Sequence, residues 1–379
     1  MRTPPPLLCA ALAVILLGGC ASGTDKPSAD DKPHGYVEGA EETAEPQRRL
    51  VMAEAETGTL SQLDPATEKT AELADVKGVA GLVTDGRYVF AAGKDKTSII
   101  DSGVWTVDHG DHKHYYVAEA KPVDTVDIDE AVSASADAAV STVNTPDGAH
   151  VYDREQLADG KIAPVDTEAA LAVPYAGELV TATDGRITVA DKESDLDASC
   201  PRPTAAATTD RGAVFGCGER VVVVTEKDGT FSADELNAPA GIAAAQRFQH
   251  RPGTPVLVTA AKGEVTVFDV AEGDWSVIDA PDPVAVNATG EDMPVLVLDR
   301  DGTLRSFDQR TGDPIAERRV IDKMPKDGPA PVITVDTERA YVNDPEAKAV
   351  HEIDFQDELR LARSLTLDTR PDLMVETGS

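Results

Sequence analysis

Aromatic side chains make up only 4% of this chain: 379 residues carry 2 Trp, 7 Tyr and 7 Phe, with 4 Cys and 7 His beside them. Basic residues are also scarce, 35 Lys and Arg against 68 Asp and Glu, for a net charge of −33. Each shortage excludes something. Without a basic footprint the chain is not suited to bind nucleic acid, nor to adhere electrostatically to anionic lipid. Few windows space apolar residues at i, i+3 and i+4. Many instead show β-branched runs closed by Asp-Gly or similar turns, the pattern of strands. Catalytic signatures are missing too: there is no His-Glu-x-x-His, no Gly-x-Ser-x-Gly and no complete phosphate loop. Gly216-Cys217-Gly218 is too short for a dinucleotide fingerprint. Paired carboxylates occur throughout so acidic a chain and carry no signal. The chain is therefore not expected to be an enzyme.

What is present begins at the N-terminus. Arg2, the apolar run Leu7–Leu17 and the small pair Gly18-Gly19 before Cys20 follow the order of a secretory leader. The run is about 11 residues, and a spanning helix needs about 20. Residues 1–19 are read as a cleaved signal peptide. The small pair before Cys20 resembles the bacterial lipobox, which implies lipid on the Cys20 thiol and an extracytoplasmic protein attached to the membrane by that anchor alone. An ordinary leader with an incidental cysteine is the alternative. Residues 20–35 are rich in Ser, Asp, Lys and Pro without apolar periodicity, as expected of a disordered tether. Residues 36–379 are left for the folded domain.

With Cys9 in the leader and Cys20 lipidated, Cys200 and Cys217 remain as a pair in an oxidising compartment. A disulfide is expected, worth roughly 3 kcal/mol in the chain-entropy model. A pair of metal-binding thiolates is the alternative.

A weak unit recurs along the chain: a strand of the type Leu-Val-x-Ala, an Asp or Gly turn, then a second strand of alternating Val and polar residues ending near an acid. It is found at 50–68, 88–103, 139–155, 179–193, 213–229, 256–273, 295–312 and 340–357. Units of this length suit the blades of a β-propeller, which stack because one blade cannot cover both of its faces. The expected fold is all-β, a single propeller of eight blades with seven as the fallback; a sandwich pair or a β-helix would be the competing architectures. Ring closure requires the termini to meet, and the segment around Ser364–Leu367 is expected to pair with the first blade. A monomer is expected.

Three of the seven histidines fall within six residues, in Asp108-His109-Gly110-Asp111-His112-Lys113-His114-Tyr115-Tyr116. His112 and His114 are two apart and would project to one side of a strand. Gly110 allows a turn that returns His109 to the same point. Asp111 is a fourth ligand or a hydrogen-bond acceptor for a ligating imidazole. Three imidazoles with an optional carboxylate suit tetrahedral zinc, although nickel and copper also take imidazole. The stretch is longer than its equivalents in other units and reads as an insertion between the outer strands of the second blade, at a propeller face. His34, His150, His250 and His351 are single, and any of them could complete a site from a distance. His34 opens the HGYVEGAEE stretch, and either His150 or His351 would face inwards.

The motif SGVWTVDHGDHKHYY (102–116), the lead-in HGYVEGAEE (34–42), the Cys-Pro…Phe-Gly-Cys segment from Cys200 to Cys217 and VHEIDF (350–355) together resemble the AztD-type zinc metallochaperones. These are extracytoplasmic β-propellers that work beside a zinc-specific ABC importer. The resemblance spans most of the chain from about residue 34. It implies zinc binding at His109, His112 and His114, with Asp111 as a further candidate, and delivery of zinc to the importer's solute-binding protein. One departure stands out. Members of that family commonly carry a His after the Cys-Pro pair, where this chain reads Cys200-Pro201-Arg202-Pro203-Thr204. A propeller used only as a protein-interaction platform, with incidental metal binding, and a zinc-dependent hydrolase or lactonase are the alternative functions.

Overall fold

A computed structural model describes residues 39–108, 112–190, 196–239, 247–261 and 263–379. Among them are nine antiparallel sheets, eight of which follow one another in chain order as the blades of a β-propeller. Blade 1 contains Arg49–Ala53, Thr59–Asp64 and Lys69–Asp75. Blade 2 is Gly81–Thr84, Tyr88–Ala92, Thr97–Asp101 and Lys121–Val126. Blade 3 is Ser133–Ala136, Val140–Thr145, Gly148–Asp153 and the short Pro164–Val165. Blade 5 is Ala205–Thr208, Ala213–Gly216, Arg220–Lys227 and Thr230–Asn237. Blade 7 is Pro283–Ala288, Val295–Asp299, Thr303–Phe307 and Pro314–Arg319. Blade 8 is Ile333–Val335, Ala340–Asp344, Ala349–Asp354 and Arg360–Thr366.

Blades 4 and 6 have three regular strands each and complete the set with a single bridge. Blade 4 (Leu171–Tyr175, Glu178–Thr183, Arg186–Val189) gains its outer edge from Ser199, bridged to Arg186. Blade 6 (Val256–Ala261, Glu264–Asp269, Asp274–Asp279) gains its inner edge from Gln249, bridged to Val258.

All eight recurring sequence units coincide with the two middle strands of a blade, so eight, not seven, is the blade count. The acid that ends many units has a local task. The carboxylates of Asp64, Asp269 and Asp308 each accept two backbone N–H groups of the following turn. These bonds hold Asp308 below the usual carboxylate range. Asp153 does the same for Gln156 and caps the short helix Arg154–Ala158. The Asp228-Gly229 turn has positive φ at both residues, 52° and 77°, as two-residue hairpin turns require.

The expected closing segment is corrected. Arg360–Thr366 is the outer strand of blade 8. Leu373–Thr377 closes the ring, pairing with Arg49–Ala53 as the innermost strand of blade 1. An innermost strand faces the crowded axis and must be short and well buried, and Leu373 and Met374 are buried. Arg360–Thr366, largely exposed, suits an outer edge.

The core is divided among the blade interfaces. Strand side chains alternate between faces, so Val51 and Ala53 pack with Leu82, Val89 and Ala91 of blade 2. Leu50 and Met52, from the same strand, pack with Tyr341 and Val350 of blade 8. The richest interface lies between blades 4 and 5, where Cys200 and Cys217 form the expected disulfide, with Cα atoms 4.9 Å apart. The sparsest lies between blades 3 and 4 and is built on Ala149, Val151, Ala169 and Ala172. Among the described residues no helix is long and apolar enough to cross a membrane.

Candidate metal centre

Between the third and fourth strands of blade 2 the chain leaves the blade and forms a hairpin, Val104–Asp108 and Lys113–Val117. This is the expected insertion. Its base is pinched where Ala118 N donates to Gly103 O at 2.7 Å. Gly103 sits at φ 74°, and a Cβ there would stand 2.4 Å from Ala118 O. Only glycine fits that approach. A third strand, Glu41–Thr43, joins the hairpin's outer edge with Glu42 opposite Tyr116. The hairpin is tied to the ring by Thr106, whose hydroxyl donates to Gly378 O at 2.9 Å.

His112 and His114 come together as their spacing predicts, with ring centroids 4.9 Å apart at an interplanar angle of 79°. A column of stacked groups continues beneath them. The His114 ring lies 6.3 Å from that of Tyr116, and Tyr116 lies 5.3 Å from Trp105. The Arg87 guanidinium sits 3.8 Å over Trp105. Arg87 is in turn gripped by Asp101 through two bonds of 3.1 and 2.7 Å. Tyr116 and Arg87 are buried, and the column rises from the blade to the half-exposed His114 and the exposed His112. Burial and the nearby Glu42 raise the Tyr116 phenol above its ordinary value.

Glu42 is the residue sequence reasoning missed. Its Oε1 lies 2.7 Å from His114 Nδ1. Pairing across 72 positions gives no local signal, and one more acid in an acidic chain does not stand out. A carboxylate at that distance places the His114 proton on Nδ1. Asp108 at the hairpin tip pairs with Lys113 at 2.8 Å. His109 and Asp111, as well as His34 and Cys20, lie outside the described residues. Among the described residues no three His, Cys, Asp or Glu side chains converge as a metal-binding group.

The remaining histidines take other roles. His351, on the third strand of blade 8, is buried between Ser364 Oγ (2.9 Å) and Asp344 Oδ2 (3.4 Å). It is held within its blade and does not face the channel. His150 is half-buried on blade 3, and burial lowers its pKa. The histidine that lines the central channel is His250, with Nε2 3.2 Å from Thr208 O and a pKa pushed down to about 4 by burial.

Eight blades closed by a C-terminal strand, with a histidine-bearing hairpin inserted in the second, define the class of this protein: an eight-bladed β-propeller. Comparison with solved structures narrows that to an AztD-type fold. Two structures of AztD from Citrobacter koseri, one of them the apo form, superpose with TM-scores of 0.70 and 0.72 at 21% and 18% identity, covering 88% of this chain and 99% and 98% of theirs. A 6-phosphogluconolactonase candidate from Bacteroides fragilis is more distant, with a TM-score of 0.52 at 11% identity over 88% of this chain and 99% of its own. No protein-family model matches the chain, and no curated protein matches it in sequence.

Proposed function

We propose that this chain is a zinc metallochaperone: an extracytoplasmic lipoprotein, anchored through Cys20, that carries zinc on the blade 2 hairpin and passes it to the solute-binding protein of an ABC importer. The observation that carries this reading is the hydrogen bond from His114 Nδ1 to Glu42, at the top of a stacked column and beside His112. A carboxylate on the far nitrogen of an imidazole is the usual device for orienting a zinc-binding histidine and raising its basicity. His109 and Asp111, just before His112 in the sequence, are proposed to complete the ligand set. The likeness in fold to AztD supports the reading. Zinc here is cargo and not a catalytic group, so ligands at a solvent-facing tip are suited to exchange with an incoming partner.

The test is zinc titration of the protein against a competing chelator, for the wild type and for the double variant His112→Ala/His114→Ala. Submicromolar binding that survives in the double variant would remove the site. For delivery, zinc must pass to the solute-binding protein faster than it dissociates spontaneously. Transfer no faster than release would leave a zinc reservoir. The anchor is tested by Cys20→Ser, which is expected to move the protein out of the membrane fraction.

A further inference from the structure

The innermost segments of six blades enclose a central cavity of about 710 Å³, within the range of roughly 300–1,000 Å³ common to small-molecule sites. In a chain short of basic residues, three arginines line it: Arg48, Arg247 and Arg251. Asp336 and Glu376 are the carboxyl side chains among the lining residues. Arg48 Nε stands 3.8 Å from Glu376 Oε1. Arg251, on blade 6, is held by the neighbouring blade 7. Its backbone N–H donates to Ala288 O at 2.9 Å and its Nε to Thr289 O at 2.6 Å. Gly290 makes room for it, because a Cβ there would stand 2.7 Å from Arg251 Nη2. With Nε committed, the two Nη groups remain as the planar fork that carboxylates and phosphates take.

The same wall carries unmet acceptors. Asn287 donates through Nδ2 to Ile333 O at 2.8 Å, while its Oδ1 is buried without a hydrogen-bond partner among the described residues. Glu376 and Thr334 face each other on the same wall, and Thr334 Oγ1 is the nearest side-chain partner of the Glu376 carboxyl. A buried polar atom left unpaired is costly, and Asn287 Oδ1 borders the cavity beside the arginine fork.

We propose that this channel is a second binding site, for a small hydroxycarboxylate anion: Arg48 and Arg251 take carboxylate oxygens, with Arg247 adding positive charge, and Asn287 Oδ1 accepts a hydrogen bond from the ligand's hydroxyl. Burial supports the choice of an anion. It lowers the pKa of Arg251, with the neighbouring charge of Arg48 adding to the effect, so the two guanidinium groups stand close together and gain from a shared counter-charge. Burial and Asp336 raise the Glu376 carboxyl to about 8, so near neutral pH it adds no repelling charge and has a proton to donate.

The site is tested by isothermal titration of the metal-free protein at fixed ionic strength with three probes: citrate, tricarballylate (the same three carboxylates without the hydroxyl) and inorganic phosphate. Citrate is expected to bind saturably and several-fold more tightly than tricarballylate. Arg48→Gln and Arg251→Gln are each expected to weaken citrate about tenfold, as loss of a charge-assisted pair does. His112→Ala/His114→Ala leaves citrate binding unchanged, so the outcome is independent of the zinc reading. If Arg251→Gln fails to fold by circular dichroism, Arg48→Gln decides. Phosphate binding as tightly as citrate, with the same dependence on arginine, would overturn the hydroxycarboxylate assignment. No saturable heat from any probe up to about 10 mM, a concentration that would detect even millimolar affinity, would overturn the site, as would citrate binding that neither folded arginine variant weakens.

Discussion

His114 and His250 have the same side chain and opposite surroundings. His114 sits half-exposed on the inserted hairpin with a carboxylate on one ring nitrogen. His250 lies half-buried in the channel wall against the carbonyl of Thr208, and desolvation there drives its pKa down to about 4. The carbonyl fixes a neutral ring that keeps its protonation state across the ordinary pH range. The carboxylate does something else: it holds the His114 ring in one orientation at the rim. In one propeller the rim therefore carries an imidazole paired with a carboxylate, the site proposed above for zinc, while the channel wall carries arginines. Charge and burial separate the two regions, not residue type.

Four changes and one control break or sharpen that contrast. The largest effect is expected from Trp105→Ala, which removes the middle of the column under His114. A cost of roughly 3 kcal/mol is typical of such a buried truncation, read by urea denaturation, and zinc affinity should fall with it. If affinity is untouched, the column does not position the imidazole. Next comes His112→Ala/His114→Ala, which should weaken zinc by about two orders of magnitude, a tenfold loss per ligand, with little change in melting temperature. His250→Ala should do the reverse, and equal zinc losses from both would erase the distinction between rim and channel. Third, Glu42→Gln keeps shape but not charge and should cost about tenfold in zinc affinity, the low end for such orienting partners; chelator competition reads it directly.

The smallest effect concerns Glu376. Its proton is held up to about 8 in the folded protein, whereas a free Glu titrates at about 4.3. Between those values the unfolded chain is ionised and the native carboxyl is not, so unfolding releases a proton and wild-type stability falls as pH rises. Glu376→Gln cannot ionise. Its melting temperature relative to wild type should climb by a few degrees from pH 5 to pH 8.5 and then level off. A flat difference would mean that the carboxyl is already charged in the channel.

Much of this was legible in the sequence, for identifiable reasons. The units fell on the middle strands of every blade because those strands are buried on both faces and keep their Val and Ala pattern. Their ends are marked by turns that need Gly or a capping Asp, as at Asp228-Gly229 and Asp308. Edge strands were harder. In blade 6 the inner edge is a single bridge at Gln249, in blade 4 the outer edge is one at Ser199, and the closing strand could not be told from the outer strand of blade 8 by pattern alone. The inserted hairpin showed itself by length and by clustered histidine. Glu42 did not, because strand pairing across 72 residues is a tertiary fact. The channel was hidden for the same reason. Arg48 and Glu376 reach blade 1 from opposite ends of the chain and Arg251 belongs to blade 6, so only closure brings them to one wall.

That closure also governs when the molecule can exist at all. Arg49 pairs with Thr377 across nearly the whole chain. Until residues 373–377 are available, the first blade waits with an unpaired inner edge. Joining ends so far apart is slow in proportion to the non-local pairing it demands. A chain lacking residues 373–377 would have every other blade in place and still present an open strand to its neighbours, which makes the pairing of that segment the step at which this protein either completes itself or aggregates.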